Sequence, residues 1–376
     1  MSKKRKIILL NHVSGYMMID IANAFADKYD ECILLTGELR KRKKDLDPKV
    51  KQFNLIKYNP RSNLSRLLTW IIGFLQALLY IIFRSGKADL FITTNPPLGV
   101  FIPYFCKNKY SLLIYDIYPD VLIEYKMLSK ESLIIKFWEK TNRKIFANAQ
   151  KVFTISNGMK KLISKYVDPA KIEIVPCWTD NSFLKPIPKE DNIFIKEQEV
   201  SGKFLVIYSG NLGYTHDIEV LVDLAERVKR QDIFFFLIGE GDKKKILADR
   251  IDKSGQKDIR LISWQDIKMY PFSLSSADLA VVTLGKNASL MSVPSKLYDI
   301  MSVGSPLLSI AEKDSEMAKI INKYDMGICC SADQTDQMLE FIYNLMDDKE
   351  YYQKMRANSL KASHDFTPAN AYKFVN

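Results

Sequence analysis

Apolar runs four to six residues long recur along the chain, and between them lie longer stretches whose apolar positions return every three to four residues. Short runs such as Ile7-Ile8-Leu9-Leu10 and Phe204-Leu205-Val206-Ile207 show no polar alternation, the mark of strands covered on both faces. The longer stretches have the spacing of helices with one covered side. In chain order the pattern predicts strands over 6–11, 31–36, 50–57, 89–94, 110–116, 151–155 and 171–175. Helices over 16–28, 64–84, 97–107, 131–147 and 157–166 interleave with them. A second series follows, with strands 204–209, 233–238, 258–262, 279–283 and 326–329 and helices 216–229, 242–253 and 266–276. Between the series, Trp178 to Asn192 holds two prolines and no period, which predicts a linker. Alternating strand and helix signals argue for parallel βαβ units, so the fold class is α/β with two doubly wound, Rossmann-like domains.

Length agrees with two domains, since 376 residues exceed one ordinary core. The net charge of +11 favours anionic partners. Basic residues cluster at Lys3-Lys4-Arg5-Lys6 and Arg40-Lys41-Arg42-Lys43-Lys44, with no nucleic-acid motif and no interleaved aromatic ladder, so nucleic acid is not expected as a partner. Five cysteines without CxxC spacing read as buried thiols of a reducing compartment. Three histidines are too few for a His-rich metal site, and no metal is expected. The first apolar run is too short for a signal peptide, and the expected location is cytoplasmic.

One segment changes the picture. Leu67 to Phe83 is almost wholly apolar, flanked by Arg66 and Arg84, and sits at the lower limit of a membrane span. The strand signal that follows places it inside the first domain. A helix half buried on the sheet and half exposed to lipid headgroups fits best, ahead of an ordinary buried helix and of a true span, which makes an anionic membrane surface an expected partner.

The most informative chemistry lies in Met291-Ser-Val-Pro-Ser-Lys-Leu-Tyr-Asp-Ile-Met-Ser-Val-Gly-Ser-Pro306. A loop delivers Ser295 and Lys296 to the start of a helix, where free N–H groups and the positive dipole end suit phosphate. Asp299 lies one turn further, where a carboxylate can accept from a sugar diol. The plain alternative is a charged helix start with a solvated lysine. Other motifs also follow strands. Asn11-His12-Val-Ser-Gly15 opens the first helix, with one glycine where a dinucleotide fingerprint needs more. Tyr115-Asp116-Ile-Tyr-Pro-Asp120 and Val152-Phe-Thr-Ile-Ser156 follow two further strands, and Ser156 reads best as an N-cap. In the second series Ser209-Gly210-Asn211-Leu-Gly213 forms an anion cradle, and Gly239-Glu-Gly241 and Ser263-Trp264 end the next two strands. The DxD at Asp45-Leu-Asp47 has no strand before it and reads as surface.

Taken together, these motifs resemble glycosyltransferase family 4, retaining enzymes of the GT-B fold, over nearly the whole chain, in the branch that assembles bacterial surface polysaccharide, O-antigen or capsule. The family pattern has two glutamates eight positions apart. Asp299 stands at the second and Met291 at the first, so the chain departs from the usual pair. The usual arginine and lysine after the glycine pair are also replaced, by Tyr214, Thr215 and His216. The resemblance implies a first acceptor domain over 1–180, a linker 181–203, a donor domain over 204–364, a C-terminal helix near 365–376 that returns to the first domain, and a cleft between the domains. It implies transfer of a sugar, an N-acetylated hexosamine among the candidates, from a UDP-sugar to a hydroxyl of a lipid-linked glycan such as an undecaprenyl-diphosphate sugar. The enzyme would be peripheral on the inner face of the plasma membrane, with no cofactor or metal. Lys296, Asp116 and Gly15 take the catalytic roles. Gly210, Asn211, Gly213, His216, Gly239, Gly241, Trp264, Ser295, Lys296, Leu297 and Asp299 hold the donor. Two other readings stay open: a UDP-sugar 2-epimerase or hydrolase on the same fold, and a catalytically inactive membrane-bound scaffold.

Overall fold

The computed structural model describes residues 5–124, 128–285 and 293–375. It divides into two compact units, one formed by Met1–Cys177 with Pro368–Asn376 and the other by Trp178–Thr367.

In the first unit the strands are β1 (Lys6–Leu10), β2 (Val13–Ser14), β3 (Glu31–Thr36), β4 (Glu38–Leu39), β5 (Val50–Asn54), β6 (Asp89–Thr93), β7 (Tyr110–Ile114), β8 (Val152–Thr154) and β9 (Ile172–Ile174). Seven of them form one sheet in the order β5-β3-β1-β6-β7-β8-β9, and every pairing is parallel. Strand order reverses between β1 and β6, which makes that gap the switch point where such sheets bind ligands. The continuous apolar run of β1 has the expected cause: Ile7, Ile8, Leu9 and Leu10 are all buried. The C-terminal residues close the other side, with the Phe374 ring against Phe91 and Phe153 at 5.6 and 5.0 Å, and Tyr372 donating to Asp27 at 2.5 Å.

Helix Asn63–Arg84 begins at a capping box in which Ser62 and Ser65 exchange side-chain and backbone hydrogen bonds. Its buried stripe is narrow: Thr69, Gly73, Ala77 and Ile81. Leu67, Leu68, Leu75, Leu79, Ile82 and Phe83 stay exposed. The segment expected as a helix over 97–107 is a 3-10 turn, Pro97–Tyr104, with Pro103 inside it. Proline lacks the N–H that an α-helix needs and clashes with the preceding turn.

In the second unit the strands are β10 (Phe204–Ser209), β11 (Ile233–Ile238), β12 (Ile259–Ile262), β13 (Leu279–Thr283), β14 (Leu307–Ile310) and β15 (Gly327–Cys330). Their order is β12-β11-β10-β13-β14-β15, all parallel, with the reversal between β10 and β13. Both units therefore share the doubly wound order, and the fold class is α/β with two Rossmann-like sheets. The stretch expected as a linker over 181–203 is instead part of this unit. Asn192 caps helix Ile193–Glu197, and Phe194 is fully buried beside Phe236 at 5.3 Å. A short helix with a well-covered aromatic does not announce itself in a window dominated by prolines and charge.

Candidate active site

Most of the residues singled out in the sequence gather in two regions, one in each unit, each at its unit's switch point.

In the second unit, β10 ends at Ser209 and the chain turns through Gly210, Asn211, Leu212 and Gly213. The turn is fixed by backbone bonds from Gly210 N–H to Ile238 and from Leu212 N–H to the Glu240 carbonyl, at 2.9 and 2.8 Å. Gly239 and Gly241 explain themselves here. A methyl group on Gly239 would overlap the Gly210 carbonyl, and one on Gly241 would overlap the Leu212 backbone. These glycines let two loops touch, and the expected nucleobase contact through them is not what requires them. Tyr208 donates its hydroxyl to the Asn211 carbonyl at 2.7 Å, which sets its ring beneath the turn.

Helix Lys296–Val303 delivers Lys296 onto that ring. Its Nζ lies 4.2 Å from the Tyr208 ring centre and so close to Gly210 that a methyl group there would overlap it. The lysine stem is half exposed, but Nζ itself is buried and has no hydrogen-bond partner among the described residues. Burial pushes the amine down to about 7. Residues 286–292, which precede this helix, contain no carboxylate. His216 faces the same place: its Nδ1 lies 2.7 Å from the Thr283 carbonyl. A carbonyl only accepts, so Nδ1 carries the proton and Nε2 is the atom that can take one. Burial, and then the charge of Lys296, hold the imidazole below its ordinary value. The site thus gathers two nitrogen bases beside a glycine turn, and among the described residues the lysine has no acidic partner. A buried cation without an anion is costly, so the arrangement suits a ligand that brings negative charge.

The neighbouring residues are placed as follows. Ser295 is exposed at the N-cap position and makes no side-chain cap bond. Leu297 is buried, and its N–H donates to the Pro294 carbonyl at 3.0 Å, so the first turn of the helix is tightened and that amide is engaged. Asp299 departs from the expectation of a diol-binding carboxylate. It is 2% exposed, and its two oxygens accept from Thr179 at 2.6 Å and Tyr270 at 2.8 Å. Those hydroxyls occupy the acceptor positions that a ribose would need. Trp264 is 52% exposed after β12. Asn211 is exposed and Gly213 buried in the turn. Met291 lies outside the described residues.

In the first unit a cavity of about 460 Å³ opens at the ends of β1, β6 and β7. Gly15, Asp116 and Asn95 line it, together with the rings of Tyr16, Tyr58, Trp70 and Tyr118. Two of its lining residues are held from behind: the Thr93 hydroxyl donates to Asn11 Oδ1 at 2.8 Å, and the His12 N–H donates to the Asn95 carbonyl at 2.6 Å. Gly15 stands at the N-cap of helix Tyr16–Ala26 in extended conformation, with nothing within 4 Å of where a side chain would begin. Asp116 and Tyr115 both donate their N–H groups to Thr94 Oγ1, at 3.2 and 3.0 Å. The Asp116 side chain reaches solvent inside the cavity, yet the surrounding protein still raises its carboxyl above the usual carboxylate value. The motif's other members are structural. His12 is fully buried with Nε2 against the Ile56 carbonyl. Asp120 holds Lys165 and Tyr166, and Ser156 caps its helix through the Met159 N–H at 3.2 Å.

Sequence reasoning passed over Tyr208, Thr283, Thr179 and Tyr270, and in the cavity Tyr58 and Trp70. An aromatic at the last position but one of β10, before a glycine, was the available signal for Tyr208. Among the described residues no group of His, Cys, Asp or Glu side chains is arranged to hold a metal ion.

Residues 189–362 match the family described as glycosyl transferases group 1. The "Probable glycosyltransferase WbjE" of Pseudomonas aeruginosa is 29% identical over 285 residues, spanning 72% of this chain and 70% of its own length. WcaI of Escherichia coli (strain K12), whose name assigns it to colanic acid biosynthesis as a glycosyl transferase, is 24% identical over 196 residues, 51% of this chain and 48% of its own. Among solved structures, Anabaena Alr3699/HepE in complex with UDP-glucose superposes with a TM-score of 0.72 at 14% identity, over 98% of each chain. That likeness is one of fold.

Proposed function

We propose that this chain, a glycosyltransferase whose residues 189–362 match glycosyl transferases group 1, moves a sugar from a UDP-sugar to a hydroxyl of a lipid-linked glycan, with retention of configuration, in bacterial surface-polysaccharide assembly. The single observation that carries the donor half is the buried Lys296 Nζ, which has no hydrogen-bond partner among the described residues and lies against Gly210 and over Tyr208. A diphosphate leaving group gathers negative charge as the glycosidic bond breaks. A preorganised cation in a water-poor pocket stabilises that charge far more than water would. His216 Nε2 supplies a second donor once protonated. The UDP-glucose complex of HepE and the colanic acid assignment of WcaI support the donor and pathway class.

The acceptor half belongs to the first unit's cavity. Asp116 faces it with a raised carboxyl, suited to accepting a hydrogen bond from the incoming hydroxyl. In this reading the departing phosphate takes the acceptor proton and neither a metal nor a protein nucleophile takes part. The exposed apolar face of helix Asn63–Arg84 and the basic flanks support work at an anionic membrane surface on the cytoplasmic side.

The test is calorimetry with UDP, followed by a donor panel on a lipid-diphosphate acceptor with the product's anomeric configuration read by NMR. Lys296→Ala is expected to lower turnover by a factor on the order of 10² to 10³. Turnover within about threefold of wild type would remove Lys296 from the phosphate site. Epimer formation from UDP-sugars without acceptor would replace the transferase reading.

A further inference from the structure

Helix Asn63–Arg84 has two uses for its surface that do not coincide. Trp70, half exposed, lines the first unit's cavity and stacks on Tyr58, with ring centres 6.0 Å apart and planes 6° from parallel. Tyr58 in turn is edge-on to the His12 ring, so the pair is anchored to the β1 turn. Flat rings beside Asn95 and Asp116 make a wall of the kind that binds sugars, whose C–H faces stack on aromatics while their hydroxyls find polar groups.

The rest of the helix faces outward. Leu67 and Phe74, three residues before and four after Trp70, share its side of the helix and lead onto exposed Ile71 and Leu75. Exposure reaches 54% at Leu79 and 78% at Phe83. The apolar surface continues past this helix. The 3-10 turn Pro97–Tyr104 packs against it and also against helix Leu133–Asn148. Tyr104 and Phe105 at the end of that turn are exposed, as are Leu133, Ile134 and Phe137. A soluble surface does not leave three adjoining apolar segments in water. Arg66, Arg84, Lys87, Lys107 and Lys109 accompany them in the sequence, and Lys144 sits 5.0 Å from the Tyr104 ring, so the charge complements anionic headgroups.

Resting on the transferase reading above, we propose that this helix joins the acceptor cavity to an anionic bilayer. The acceptor is an amphiphile whose sugar end stacks on Trp70 and Tyr58 while its hydrocarbon end stays in the bilayer held by Leu67, Ile71 and Leu75. Trp70 and Tyr58 are then positioning residues for the acceptor. A free glycan lacks the second anchor and binds poorly.

Dodecyl glycosides below their micelle thresholds (glucoside, maltoside and N-acetylglucosaminide) serve as probes against the same sugars without the chain. Binding is read by calorimetry and saturation-transfer NMR, with UDP titrated into the same samples. At least one dodecyl glycoside is expected to bind at least about tenfold tighter than its free sugar, since burying two methylenes already supplies that factor. Trp70→Ala should weaken it at least about fivefold while leaving flotation with phosphatidylcholine–phosphatidylglycerol vesicles unchanged. Leu75→Ser with Leu79→Ser should abolish the chain's advantage and the flotation. Trp70→Phe, which keeps a ring, should restore binding to within about threefold and stands in if Trp70→Ala fails to fold. Equal affinity with and without the chain, no binding of any dodecyl glycoside, or indifference to both Trp70 variants overturns the proposal. If wild-type protein does not bind UDP, the transferase reading fails instead, whatever the glycosides do.

Discussion

Binding of UDP should draw a proton from solution, and Lys296 sets how much. Burial holds its amine down to about 7, against an ordinary value of 10.5. At pH 8 roughly nine in ten free molecules therefore carry it neutral. A diphosphate placed at Gly210 and Lys296 offers the missing negative partner and moves the amine back up. Binding at pH 8 should then take up about 0.9 proton, and affinity should fall by up to about tenfold per pH unit as pH rises above 7. The same linkage acts on the unliganded fold. Between about 7 and 10.5 the unfolded chain binds the proton and the folded one does not. Stability relative to a Lys296→Met variant should thus rise with pH across that window and be flat below it. His216 is also held down, by burial and then by Lys296, and adds uptake on the acid side. The assay is calorimetry of UDP in buffers of different ionisation enthalpy at one pH. Uptake below about 0.2 proton at pH 8, or equal uptake in wild type and Lys296→Met, would refute the placement of phosphate on this amine.

Three other outcomes follow from the geometry. Gly15→Ala meets nothing within 4 Å, so thermal unfolding should stay unchanged, while transfer to acceptor drops if the substrate approaches that backbone; a loss of stability instead would make the glycine structural. Asp299→Asn removes the charge that Thr179 and Tyr270 bond, and should lower stability by about 1–3 kcal/mol in denaturant melts with UDP affinity within about threefold of wild type; a selective loss of UDP binding would return Asp299 to the ligand. Activity should survive excess EDTA, and rescue of a chelated, inactive enzyme by Mn²⁺ or Mg²⁺ would contradict the metal-free reading.

The fold was legible wherever burial on both faces left an unbroken apolar run. Strands β1, β10 and β11 announce themselves because neither side of their sheets tolerates a polar residue. The alternation of elements then fixes parallel pairing, and the reversal of strand order follows in each unit. What failed were segments whose structure depends on partners distant in sequence. Pro97–Tyr104 has a helical apolar content but the wrong backbone chemistry. Residues 181–203 read as a linker because the covering of Phe194 by Phe236 cannot be seen from either residue alone. Asp299 looked available because Thr179, 120 positions earlier, gives no local hint that it will reach the carboxylate.

The glycines show most clearly where sequence reasoning stops. Gly15, Gly210, Gly239 and Gly241 each follow a strand and each suggests close approach of a ligand to the backbone. Their surroundings separate them. At Gly239 and Gly241 the missing side chain admits another loop of the same unit. At Gly210 it admits the Lys296 ammonium, so the glycine serves the ligand through a side chain of this protein. Only at Gly15 is the space open. A strand-end glycine therefore marks the binding edge of each sheet without saying which contact it permits. In the second unit the edge becomes a site because Tyr208 from β10, Lys296 from its helix and His216 from the loop after the glycine turn converge there, and among the described residues the lysine amine has no acidic neighbour.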